Sequence, residues 1–92
     1  MSYQPPTRLA HVYDDKDAAL YLAHVPDGTP VILRGSAALI WLTATGDPRP
    51  GHPADVAARV AQETGLAVEE LRDDVETFLR TLVKQGLLEE RL

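Results

Sequence analysis

The chain reads as an α+β domain: a three-stranded antiparallel β-meander followed by three α-helices. Three observations predict this. Over residues 8–34 the apolar residues come in short runs separated by polar or Pro/Gly turns, as strands do. From Ser36 onward they recur at helical spacing, and the breakers at 46–52 and at Gly65 fall where helices must stop.

The first strand is predicted over 8–14, where Leu9, His11 and Tyr13 alternate with Arg8, Ala10 and Val12. The tight polar turn Asp14-Asp15-Lys16-Asp17 then makes residues 18–25 the returning strand of a hairpin rather than a short helix, although Ala and Leu favour helix. Pro26-Asp27-Gly28-Thr29-Pro30 is a second turn, with Pro setting φ and Gly permitting positive φ. Val31, Ile32, Leu33 and Arg34 form the third strand, and both flanking prolines stay outside it, so no ladder donor is lost. Its place at the end of the meander makes it an edge strand with backbone groups unpaired on one side.

Ser36 is expected to cap a helix starting at Ala37 by accepting from a free amide of the first turn. That helix, 37–45, carries Leu39, Ile40, Trp41 and Leu42 and is expected to be the most buried, with Trp41 in the core. Pro53 suits the first turn of a second helix, 53–64, which Gly65 ends. The third helix is predicted over 68–85. At 100° per residue, Leu71, Val75, Phe78, Leu79, Leu82 and Val83 share one arc, with Glu70, Asp73, Thr77, Arg80 and Lys84 opposite. Leu87 and Leu88 are expected to fold back on the core. Residues 1–7, with two adjacent prolines and no period, read as a flexible lead-in to a single domain over 8–92.

Composition narrows the function. Zero cysteines remove disulfides and thiolate metal sites and fit a reducing, cytoplasmic setting. No signal sequence or membrane-length apolar run is present. Residues 1–53 hold four Lys/Arg against five Asp/Glu, and 54–92 hold five against nine. That balance disfavours phosphate-backbone binding, so no nucleic-acid partner is expected. His11, His24 and His52 lack paired ligand spacing, so no metal or other cofactor is expected. No nucleophile or acid/base motif surrounds Ser36, and Asp14-Asp15 and Glu69-Glu70 point apart as sequence neighbours, so no catalytic residue is assigned.

The runs Val31-Ile32-Leu33 and Ala38-Leu39-Ile40-Trp41 carry a family likeness that continues through residues 56–65. It goes on with Asp74-Val75, Phe78-Leu79, Leu82 and Gly86-Leu87-Leu88. In order and spacing, over roughly residues 9–90, the chain resembles the PqqD-like recognition elements of ribosomally made, modified peptides. The resemblance implies a winged-helix-like fold, no catalysis, and a precursor leader segment added to strand 31–34 beside helix 68–85. Its expected contacts are Val31, Ile32, Leu33, Arg34, Arg72, Asp74, Val75, Phe78, Leu79 and Leu82, with either edge of the helix free to wall the groove. As a stand-alone domain it resembles the leader-binding half of a lasso-peptide processing pair. That implies a separate transglutaminase-like cysteine protease, and a cyclase, as partners. Pyrroloquinoline quinone assembly or another modified-peptide pathway is the alternative, and a winged-helix DNA-binding regulator or a dimerisation module using the same edge stand behind it.

Overall fold

The computed structural model describes residues 2–91. Met1 of the expected lead-in and Leu92 at the expected domain end lie outside the described residues. The elements run β1 (Ser2–Gln4), β2 (Leu9–Asp14), β3 (Ala19–His24), β4 (Val31–Arg34), α1 (Ser36–Ala44), α2 (Pro53–Thr64), α3 (Val68–Lys84) and β5 (Glu89–Arg91).

β2, β3 and β4 form the expected antiparallel meander in the order β2-β3-β4. The polar turn between β2 and β3 is closed by the Lys16 N–H donating to Asp14 Oδ1 at 2.9 Å, the short side chain standing in for a backbone acceptor. Register pairs Leu20 with Leu33 and Leu22 with Val31, so these share the sheet face that the helices cover. Val12, Tyr21 and Ile32 line up across the three strands on the opposite face.

The N-terminal segment corrects an expectation. Ser2–Gln4 form a strand paired antiparallel with Glu89–Arg91, Tyr3 opposite Glu90, and Tyr3 is buried in the core. A three-residue strand shows no period of its own. It forms because α3 returns the far end of the chain beside it, and Gln4 Nε2 donates to Glu89 Oε2 at 3.0 Å across that pairing.

The start of α1 is a second correction. Ser36 is the first helical residue rather than the cap. The cap position is Gly35, at φ 58° and ψ −129°, with no side-chain capping bond. Only glycine holds that backbone without strain, so the chain turns at Gly35 and the helix begins one residue early. Conversely, His52 caps α2: its Nδ1 accepts from the Ala54 N–H at 3.2 Å. The end of α2 at Gly65, left-handed at φ 76°, is as expected.

α3 ends in a pair of bonds that carry the chain back under the core. Gly86, at φ 75°, donates to Val83 O and the Leu87 N–H to Leu82 O, the arrangement that satisfies the last carbonyls of a helix. Leu87 and Leu88 are thereby buried, and the buried Trp41 Nε1–H donates to Leu87 O at 2.8 Å. The expected core role of Trp41 and the returning tail are therefore one feature. No described helix is long and apolar enough to cross a membrane.

Candidate functional site

β4 has a strand on one side only. Its pairing with β3 covers Val31 to Arg34, and no described strand occupies its other side. In an antiparallel strand alternate residues direct both N–H and C=O to the same edge, so a four-residue strand presents about four main-chain groups outward. The strand is short because Pro30 supplies no donor before it and the positive φ of Gly35 turns the chain after it.

Directly beyond that turn opens a cleft of about 400 Å³. α1 contributes Ser36, Ala37 and Ile40, α2 contributes Val60 and Thr64, the α2–α3 link contributes Leu66, and α3 contributes Leu71, Asp74, Val75 and Phe78. Its floor is aliphatic and aromatic, and Asp74 is its sole ionisable lining group among the described residues. A second concavity, about 470 Å³, lies between α1, α2 and the Pro-rich loop; Leu39 and Leu42 line it together with Asp47, Arg59, Gln62 and Glu63, which give it a mixed character. There Arg59 Nη1 is engaged in donating to Pro48 O at 2.5 Å.

The expected contact residues divide into four groups. Asp74, Val75 and Phe78 converge on the apolar cleft. Val31, Ile32, Leu33 and Arg34 form the free edge beside it, and none of them lines the cleft itself. Leu33 faces the core and Val31 is half-buried, whereas Ile32 is 48% exposed on the outward face. Arg34 Nη1 donates to Asp17 O at 3.4 Å. Leu79 and Leu82 are 0% exposed and belong wholly to the core, on the helix that packs chiefly against α2. Arg72 is exposed and outside the cleft lining. The edge of α3 that lines this cleft is the one bearing Leu71, Asp74 and Phe78.

Sequence reasoning missed Ile40, Val60, Leu66 and Leu71 as cleft residues. The only signal for Leu66 was an apolar residue standing in a breaker segment, after Gly65, where nothing required it. The histidines lie apart: the His11 ring packs on Trp41 with centroids 4.9 Å apart, His24 Nε2 faces Gly86 and His52 caps α2. No group of three His, Cys, Asp or Glu among the described residues is placed to hold a metal. Among the described residues, the titration of Tyr3 is displaced. Burial first, then the Glu90 and Glu76 carboxylates, push the Tyr3 phenol above its ordinary value, with Arg80 opposing.

No curated protein matches the chain. Among solved structures it is similar to TbiB1 in complex with the TbiA(beta) leader peptide, at 20% identity and a TM-score of 0.76, covering 97% of this chain and 98% of that one. The model of the family described as coenzyme PQQ synthesis protein D (PqqD) matches residues 19–88. That match runs from β3 through the whole helical layer to the returning Leu87-Leu88 tail, and by it this chain belongs to the PqqD family.

Proposed function

We propose that the protein is a non-catalytic recognition module that binds the leader segment of a ribosomally made precursor peptide by strand addition to β4, with apolar side chains seated in the adjoining cleft. One observation carries the reading: an unpaired strand edge leads through a single glycine into an apolar concavity. Main-chain pairing supplies affinity and side-chain pockets supply specificity in this mode of recognition. The similar structure's bound leader peptide supports it, as does a family named for the making of a modified small molecule.

Magnitudes show why both parts are needed. About four main-chain bonds at 0.5–1.5 kcal/mol net contribute about 2–6 kcal/mol. Micromolar affinity requires about 8 kcal/mol, and ordering a flexible segment offsets part of any gain. An anchor burying about 100 Å² of apolar surface adds about 2.5 kcal/mol. Strand addition alone therefore falls short, and the cleft has to seat more than one such anchor.

Within this reading the protein acts in the cytoplasm of a lasso-peptide pathway and holds the leader while a separate cysteine protease cuts it and a cyclase closes the ring. Val31, Ile32, Leu33 and Arg34 offer the edge; Asp74, Val75 and Phe78 offer the pocket; Arg72 is left to pair with charges on the flanking peptide. The family's association with PQQ synthesis favours a second reading, presentation of a peptide in pyrroloquinoline quinone assembly. A transglutaminase-like protease encoded next door selects the first, and a radical enzyme the second.

The test is fluorescence polarisation with a labelled leader peptide from the same gene neighbourhood. Saturable binding is expected, weakened at least tenfold by N-methylation of the peptide amides that pair with β4 and by Ile32→Asp, whose exposed position spares the fold. Absence of saturable binding, or indifference to N-methylation at every position, overturns strand addition.

A further inference from the structure

Resting on the peptide-binding reading, we infer that Leu66 is a contact residue for the bound peptide and selects the apolar side chain that fills the α2–α3 end of the cleft. Leu66 sits on the two-residue link after Gly65 and lines the cleft while 51% exposed. Its place is held locally: Gly65 is left-handed at φ 76°, and the Leu66 N–H donates to Thr64 Oγ1 at 3.4 Å.

A structural role for Leu66 exists and is incomplete. Ala67 is the cap position of α3 and makes no side-chain capping bond. Leu66 and Leu71 therefore occupy the positions of a hydrophobic staple, before the cap and in the first turn, and both face the same cleft. A leucine serving the staple alone would be covered by its partner. Half of this one remains in water, turned to a concavity that is otherwise aliphatic and aromatic.

The occupant follows from continuity with the strand edge. Ser36 and Ala37, the first residues after β4 and Gly35, line the near end of the cleft, so an extended segment alongside Val31 to Arg34 brings its next side chains over it. Among the lining side chains, only those of Ser36, Thr64 and the rim residue Asp74 can hydrogen-bond. The side chain reaching Leu66 is accordingly aliphatic or aromatic, and covering the exposed half of Leu66 corresponds to about tenfold in affinity.

The experiment titrates labelled leader peptide against the full chain carrying Leu66→Ala, Leu66→Asp or Leu66→Met, with the thermal midpoint of each variant measured alongside. Expected are about tenfold weaker binding for Ala, a larger loss for Asp, near wild-type binding for Met, and an Ala midpoint within a few degrees of wild type. Replacing each apolar leader residue by alanine in turn completes the cycle: at one position the loss combined with Leu66→Ala is less than the product of the two separate losses, which a purely structural leucine would not produce. If wild type binds, Ile32→Asp weakens it, and Leu66→Ala binds as wild type or couples to no leader position, the contact role of Leu66 is overturned while strand addition stands. If wild type binds no leader, both fall.

Discussion

Two concavities of similar size flank α1, about 400 Å³ on the β4 side and about 470 Å³ beside the Pro-rich loop, and they differ in almost everything but volume. The first is floored by Ile40, Val60, Val75 and Phe78 and adjoins a strand edge with free backbone groups. The second is lined by Leu39 and Leu42 together with Asp47, Arg59, Gln62 and Glu63, with Arg59 committed to a loop carbonyl and no described strand in its lining. Charged and amide groups in a wall of mixed character are well satisfied by water, so filling such a hollow returns less. An apolar hollow beside unpaired amides has both dispersion and hydrogen bonds to gain. Chemistry and neighbouring backbone, more than size, mark the first as the site.

The largest expected effect tests how far that site depends on the core below it. Leu79→Ala removes a completely buried side chain next to the cleft floor and is expected to destabilise the fold by about 2–5 kcal/mol in chemical denaturation. A loss under 1 kcal/mol would mean that α3 is not anchored where its burial says. The next effect contrasts the two concavities directly. Phe78→Ala is expected to weaken leader binding by about ten- to a hundredfold, while Gln62→Ala and Glu63→Ala leave it within about twofold. Comparable losses on both sides of α1 would erase the distinction between them. The smallest effect is a control on neither concavity. Because the Tyr3 phenol is held above its ordinary value of about 10, its stabilising contribution is complete below that pH and is lost as pH rises through the raised value. Tyr3→Phe is expected to flatten the alkaline limb of a stability–pH curve and to leave peptide affinity at neutral pH unchanged.

Legibility followed the range of the signals. Strand Val31–Arg34 was readable to the residue and helix Pro53–Thr64 closely so, because Pro30, Gly35, Pro53 and Gly65 punctuate them within one or two positions. Ser36 misled by a single position, since a glycine in a backbone region closed to other residues overrode a good capping side chain. The β1–β5 pairing was invisible: Gln4 and Glu89 meet across 85 positions, and neither short strand alternates. Within α3 the apolar arc was right as a face but undivided. Helical spacing alone does not show that Phe78 stands at the cleft while Leu79 and Leu82 are wholly buried in the core.

The sequence by itself determined the α+β class, the order of the meander and three helices, the edge position of strand 31–34 and the burial of Trp41, because propensity, period and Pro/Gly breakers act within a few residues. The tertiary structure alone decided where the cleft lies and which residues line it. That concavity is a gap left where three helices and a link meet, and its shape depends on the angles at which they pack, a property carried by no single segment of the chain.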